Sequence, residues 1–95
     1  MEREVALYSN DASAYYELGE RCYFSTDDKM RSKAVEAFVN SALLGNKDAQ
    51  CVLGYLYYNG DYVSRDLNES KDWLNIAEKN GSMLASKLKH IYFEK

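Results

Sequence analysis

The chain has 95 residues, enough for one modest hydrophobic core but too few for a core with an elaborate active site beside it. Hydrophobic residues make up 46% of the sequence and charged residues 28%, which is typical of a folded globular domain rather than a disordered segment. The 15 acidic residues outnumber the 12 basic ones, and the basic residues form no run. This argues against nucleic acid as a partner, because such binding needs a positive surface.

No stretch of the sequence is long and apolar enough to span a bilayer, and the charged start, Met1 to Glu4, lacks the apolar segment of a signal peptide. We therefore expect a cytoplasmic protein that does not bind membranes. The two cysteines, Cys22 and Cys51, belong to no short paired motif, so the sequence predicts neither a metal site nor a redox centre. We expect buried or inert thiols and no cofactor.

The first predicted unit covers residues 11–45. Small and apolar residues recur there at helical spacing in two stretches, at Ala14, Leu18 and Cys22 and then at Ala34, Phe38 and Ala42. Asn10 is the predicted N-cap of the first of these two helices. The unit is therefore predicted to be a helix–turn–helix.

The second predicted unit covers residues 46–81 and repeats this arrangement more clearly. Asn46 is the predicted N-cap of a first helix that ends at Asn59-Gly60, with one apolar face formed by Ala49, Leu53, Leu56 and Tyr57. Asp66 and Glu69 have the form of a capping box, in which the aspartate accepts an amide hydrogen and the glutamate reaches back. The second helix ends at Gly81 and carries on its inner side Ser70, Trp73, Leu74 and Ala77.

The last predicted element is a helix within residues 82–95, with Ser82 as its N-cap. Ala85 and Leu88 begin the same pattern again before the sequence ends. Residues 11–19 align with residues 46–54 at a shift of about 35 positions, a period typical of helical solenoids. The predicted fold is all-α, an α/α solenoid of two helix–turn–helix repeats and a C-terminal capping helix, with about five helices in a single domain, 1–95.

The second unit resembles the Sel1-like repeat family, whose members are helical solenoids related to tetratricopeptide repeats. The residues that carry the resemblance are Ala49 to Gly60, Val63, Asp66, Ser70 to Leu74 and Ala77. The sequence departs from the family pattern at Tyr62, where a second glycine is usual, and the first unit is more degenerate. The resemblance implies an adaptor or scaffold that binds proteins through a concave surface lined by the first helix of each repeat, and it implies no enzymatic activity.

The face of each first helix that the core does not use is the predicted binding surface. A helix advances about 100° per residue, so Cys51, Tyr55 and Tyr58 share a face opposite the core-facing residues of their helix. Tyrosine suits such a surface because it offers a large contact area with few rotatable bonds. With the same offset applied to the other two helices, the predicted partner-binding residues are Tyr16, Glu20, Tyr23, Cys51, Tyr55, Tyr58, Ser86, His90 and Phe93.

A competing interpretation is that some of these rings pack between neighbouring helices, as aromatic residues at helical spacing usually do. His90 is interpreted as a structural or surface residue, because the sequence places no nucleophile, carboxylate or glycine-rich phosphate loop to work with it. We therefore expect no catalytic residue, and the protein is not expected to be an enzyme.

The predicted function is that of a protein–protein interaction module, an adaptor or scaffold that binds a protein or peptide. Two alternatives stay open. The small size and acidic balance suit a cytoplasmic inhibitor or immunity protein that neutralises a cognate toxin. The apolar last helix, with Leu84, Leu88 and Ile91, suits a self-assembling unit that forms a homodimer through the open end of its repeats.

Overall fold

The structure is a computed structural model that describes residues 11–94. Within this range the chain is all-helical, and its helices in chain order are α1 (Ala12–Tyr23), α2 (Asp28–Ser32), α3 (Ala34–Leu43), α4 (Lys47–Asn59), α5 (Leu67–Lys79) and α6 (Met83–Phe93). Helices α1 and α3 form one antiparallel pair, α4 and α5 form the next, and α6 packs against the second pair. The predicted helical repeat solenoid is confirmed.

The helices α1, α4 and α6 begin in the same way, with a side-chain oxygen that accepts the amide hydrogen of the residue three positions later. The predicted N-caps Asn46 and Ser82 are confirmed. Asn10, the predicted cap of the first helix, lies outside the described residues, and Asp11 is the N-cap of α1. The three bonds run to the amides of Ala14 (3.1 Å), Ala49 (2.9 Å) and Ala85 (3.0 Å).

The first repeat contains a helical turn, α2, that the sequence analysis did not predict. Asp27 caps this turn by accepting the amide hydrogen of Lys29 at 2.9 Å, while the Ser25 hydroxyl accepts the Asp27 amide hydrogen at 3.0 Å. Two short side chains therefore organise the connection between α1 and α3. The five longer helices are those that the sequence predicts.

The connection between α4 and α5 has a left-handed backbone at two positions. Gly60 has a φ of 70° and ends α4 as predicted, and Tyr62 has a φ of 62°, a conformation that costs a residue with a side chain about 1–2 kcal/mol. Asp66 caps α5 by accepting the amide hydrogen of Glu69 at 3.0 Å, as the capping box predicts. The reciprocal half of the box was predicted wrongly, since the Asp66 amide donates to the Tyr57 carbonyl at 3.0 Å.

Each helical pair is closed by a glycine on the first helix that faces a large side chain on the second. A Cβ added to Gly19 would lie 2.6 Å from the Phe38 ring, and one added to Gly54 would lie 2.5 Å from Leu74. Glycine at these positions therefore sets how closely the two helices approach. A buried hydroxyl on the second helix reinforces the second pair, where Ser70 Oγ donates to the Gly54 carbonyl at 2.7 Å.

The core runs through both repeats and continues to α6. One cluster joins the two pairs, and its fully buried members include Ala34, Ala49, Leu53 and Leu56. A second cluster joins α4 and α5 to α6, and its buried members are Cys51, Leu74, Ala77 and Ala85. Gln50 links the two repeats inside this core, because its side chain donates to the Ala42 carbonyl and accepts from Asn80. Among residues 11–94, no helix combines the length and apolar character needed to cross a membrane.

Candidate binding groove

Helix α4 lies beside α1 on one side and beside α6 on the other, and the surface between α1 and α4 is concave. One depression of ≈ 180 Å³ has walls that include Tyr16, Glu20, Tyr23, Phe24, Val52 and Tyr55. A second depression, of ≈ 250 Å³, shares three wall residues with the first, Tyr16, Val52 and Tyr55. Its other wall residues are Asp48, Cys51, Leu84 and Leu88. The two depressions share walls, and we call them together the aromatic groove. Four of the predicted site residues therefore lie together in its first depression, namely Tyr16, Glu20, Tyr23 and Tyr55.

Tyr16 lies at the junction of the two depressions. Its ring packs against the buried ring of Phe38 at a centroid distance of 5.7 Å, which anchors the side chain in the floor of the groove. Burial raises the pKa of Tyr16 to about 12, and the neighbouring carboxylates of Glu20 and Asp48 act in the same direction. The hydroxyl is therefore uncharged at neutral pH and lies in a negative field.

Tyr23 is held at one end of the groove by the connection between α4 and α5. Its hydroxyl donates to a carboxylate oxygen of Asp61 at 2.6 Å, and its ring meets the ring of Tyr62 edge-to-face at 6.5 Å. The hydrogen bond to Asp61, together with burial, raises the pKa of Tyr23 to about 12. This tyrosine joins the two repeats as well as lining the groove.

Tyr55 is the most exposed tyrosine of the groove, with 42% of its surface accessible to solvent. It projects from the middle of α4, whose backbone is fixed by the close contact between Gly54 and Leu74 one residue earlier. Phe24, which follows α1 directly, is 77% exposed and extends the apolar wall. The groove therefore presents aromatic surface to solvent from both repeats.

Cys51 and Tyr58 share the predicted face of α4 but occupy different environments from Tyr55. Cys51 is only 3% exposed and belongs to the core cluster with Leu74, Ala77 and Ala85, and burial raises the pKa of its thiol. It forms a wall of the second depression with little surface of its own. The thiol is thus a small apolar core residue, as expected for a buried cysteine.

Tyr58 is covered by the last helix. Its ring stacks on the ring of Tyr92 at a centroid distance of 3.6 Å and an angle of 4°, and it meets Phe93 edge-to-face at 5.7 Å. The Arg65 guanidinium lies 5.4 Å from the centroid of the Tyr58 ring. We call Tyr58, Tyr92 and Phe93 the ring stack. In the ring stack the aromatic side chains pack between neighbouring helices, as the competing interpretation of the sequence proposed.

Ser86 and His90 do not reach the aromatic groove. The Ser86 hydroxyl donates to the Glu78 carboxylate at 2.6 Å and so faces α5. His90 is exposed, 3.3 Å from the Glu94 carboxylate, and lines a separate shallow surface with Lys87 and Ile91. The structure therefore places these two predicted residues apart from the tyrosines of α1 and α4.

The positions of α6 that line the groove follow from the repeat spacing and from the face of α4 that is compared. The N-caps Asp11 and Asn46 are 35 positions apart, but Asn46 and Ser82 are 36 positions apart, so the offset that relates α1 to α4 is one residue too short for α6. A shift of one residue turns a helix by about 100°. With the longer spacing, Leu84 and Leu88 correspond to Asp48 and Val52, and these four residues line the groove together. The longer spacing relates the predicted face, Cys51, Tyr55 and Tyr58, to Lys87, Ile91 and Glu94, and Lys87 and Ile91 line the separate surface with His90. Leu84 and Leu88 were therefore missed because the predicted face of α4 did not include Asp48 and Val52.

The repeat that the sequence suggests is also detected by comparison with known protein families. The family model described as Sel1 repeat matches residues 12–27 and 47–82, which together are more than half of the chain. A search of curated proteins and a search of solved structures gave no significant match. Across residues 11–94, the structure brings together no group of three histidine, cysteine, aspartate or glutamate side chains that could hold a metal ion.

Proposed function

Because the chain belongs to the Sel1 repeat family, we propose that its aromatic groove captures a segment of another protein, in the cytoplasm. Sel1 repeats are protein–protein interaction modules, and their fold is a non-catalytic one. The family therefore supplies the general activity. The groove between α1 and α4 is our proposal for where this chain performs it.

The observation that carries the proposal is the exposed aromatic surface of the groove. Tyr55 and Phe24 expose 42% and 77% of their surface in a concave setting, although a solvent-facing helix surface is normally polar. Aromatic side chains in a depression dominate the energetics of many protein interfaces, because they bury a large area at a small cost in side-chain entropy. A partner that covers these rings would remove that surface from water.

The test is affinity capture of a partner with matched alanine variants. Tyr55→Ala removes an exposed groove ring, and we expect at least a roughly tenfold loss of affinity for the captured partner. Ile76→Ala is the control, since Ile76 is 41% exposed on α5 and lies outside the groove lining. Circular dichroism should show the same helical content in both variants. A partner that binds Tyr55→Ala as tightly as the unaltered chain would contradict the proposal.

We also propose that the free side of α6 supports self-association. Met83 and Ile91 are 77% and 58% exposed and lie outside the groove lining, which leaves apolar surface on α6. Sedimentation velocity over a range of concentrations tests this, and Ile91→Lys should shift the equilibrium towards monomer. A strictly monomeric species at high concentration would remove the idea.

A further inference from the structure

The charged residues that line the aromatic groove within residues 11–94 are both acidic. Glu20 lies in the wall of the first depression and Asp48 in the wall of the second, and both residues are exposed. Among residues 11–94, no lysine, arginine or histidine lines either depression, and neither carboxylate forms an ion pair. The part of the groove built by residues 11–94 is therefore an aromatic surface with two carboxylates and no cation beside them, which favours a positively charged ligand.

The two carboxylates act on the same part of the groove. Both of them raise the pKa of the Tyr16 hydroxyl, in addition to the larger effect of burial, so both fields are felt at the junction of the two depressions. Tyr16 and Tyr55 form walls of both depressions at this junction. A positive group placed there would contact aromatic rings and have carboxylates on two sides.

Other tyrosines of this chain already have a cation over the ring. Arg65 lies 5.4 Å from the ring centroid of Tyr58, and Arg31 lies 5.4 Å from that of Tyr62. In the described part of the chain, no cation lies over Tyr16 or Tyr55, although these rings have the carboxylates beside them. The surroundings that attract a guanidinium are thus present at the groove, and the guanidinium is not supplied from residues 11–94.

We propose that the aromatic groove receives an arginine side chain from an otherwise apolar segment of the partner. This inference rests on the proposed function, since it names the chemistry of the segment that the groove captures. Arginine fits better than lysine, because its planar guanidinium stacks on a tyrosine ring while donating hydrogen bonds to carboxylates. The apolar walls formed by Val52, Leu84 and Leu88 would contact the residues that flank it.

The experiment is a selection from a random peptide library displayed on phage, with the purified chain as target. We expect enriched peptides to carry an arginine among apolar residues and to lose binding to the Tyr55→Ala variant. A synthetic copy of an enriched peptide should bind about tenfold more weakly when its arginine is replaced by citrulline, which has nearly the same shape but no charge. Glu20→Gln and Asp48→Asn should each weaken binding of the arginine peptide and leave the citrulline peptide nearly unaffected. Asp72→Asn, at an exposed position of α5 outside the groove lining, is the matched control.

The outcomes separate this inference from the proposed function. Enriched peptides that need Tyr55 but contain no basic residue, or that bind equally well with citrulline, would overturn the arginine site and leave the groove as a binding surface. Enrichment of lysine with no preference for arginine would overturn the guanidinium geometry. A selection without any peptide that depends on Tyr55 would remove both the groove and the arginine site.

Discussion

Helix α4 has α6 on one side and α1 on the other, and the side chains on these two sides are packed in different ways. Tyr23 of α1 and Tyr58 of α4 occupy equivalent places in their repeats, 35 positions apart. On the side of α6, Tyr58 is covered by the stacked ring of Tyr92. On the side of α1, Tyr23 bonds to Asp61 and the neighbouring rings of the groove stay open to solvent. Tyr58 is thus covered by a ring of the neighbouring helix, whereas the groove rings beside Tyr23 are not covered in the described part of the chain.

The difference comes from what α6 supplies and α1 does not. Helix α6 brings Tyr92 and Phe93 against α4, so that aromatic surface on both helices is used in packing. In the described chain, no ring contact joins Tyr16 of α1 to Tyr55 of α4, and a depression lies between them. The side of α4 next to α6 is therefore filled by rings within residues 11–94, whereas the side next to α1 keeps a depression there, which is where we propose that a partner binds.

The largest effect on stability is expected from Tyr92→Ala. The substitution removes the ring that covers Tyr58 and leaves a gap between α4 and α6, so we expect the free energy of unfolding to fall by about 2–3 kcal/mol. Urea denaturation followed by circular dichroism measures this. Tyr55→Ala in the open groove should cost less than about 1 kcal/mol, because that ring is 42% exposed. Equal costs for the two variants would mean that the two sides of α4 do not differ as described.

A smaller effect is expected from Tyr23→Phe, which keeps the ring and removes the hydroxyl bonded to Asp61. The 2.6 Å bond to a partly buried carboxylate predicts a loss of about 1 kcal/mol in the free energy of unfolding. A double-mutant cycle with Asp61→Ala isolates the pair, and a coupling free energy of that size should appear in thermal or urea unfolding. If the two substitutions are simply additive, Tyr23 does not tie α1 to the connection between α4 and α5.

At Tyr62, in the connection between α4 and α5, the energetic cost of the backbone conformation can be separated from the contribution of the ring. Tyr62 has a φ of 62°, its ring meets Tyr23, and the Arg31 guanidinium lies 5.4 Å from its ring centroid. Tyr62→Gly and Tyr62→Ala both remove these ring contacts, but only glycine is free of the left-handed penalty. We expect the glycine variant to be more stable than the alanine variant by about 1 kcal/mol. Thermal unfolding of the pair checks this, and an alanine variant at least as stable as the glycine variant would contradict the strain.

Most of the architecture could be predicted because it is encoded by local patterns. Alanine four residues before Leu-Gly marks the close helix contact in both repeats, and the structure shows its reason where Gly19 meets Phe38 and Gly54 meets Leu74. Gly60 and Gly81 end helices with φ of 70° and 96°, conformations that favour glycine. Tyr62 has a similar φ at the position where the family pattern has a second glycine, which is a backbone conformation that favours glycine.

The site was predicted less completely, because helical periodicity identifies a face and not what lies against it. The sequence places Tyr55 and Tyr58 on one face of α4, yet one is exposed and the other is stacked on Tyr92. Leu84 and Leu88 of α6 were missed for another reason, since they correspond to Asp48 and Val52, groove residues that the predicted face of α4 did not include. The helical turn α2 was missed because it has only five residues, too few for a periodic pattern.

The smallest effect concerns the polar contacts that hold α6 against α5. Glu78 accepts from Lys89 Nζ and from the Ser86 hydroxyl, both at 2.6 Å, and these hydrogen bonds lower the pKa of Glu78 below its ordinary value of 4.5. A lowered pKa in the folded chain means that the carboxylate stabilises the fold above the pKa of the unfolded state, and that this contribution disappears as the pH falls through the folded value.

Glu78→Gln should therefore be less stable than the unaltered chain at neutral pH, by less than Tyr23→Phe, because the carboxylate is partly exposed and screened by solvent. The difference should narrow as the pH falls below about 4.5 and through the lower pKa of Glu78 in the folded chain, where its carboxylate becomes protonated. Thermal unfolding of both chains across this range measures the narrowing. A difference that stays constant from neutral to acidic pH would show that the contacts of Glu78 depend on its shape and not on its charge. In that case α6 would be held against the second repeat by Ala85 and the ring stack rather than by this ion pair.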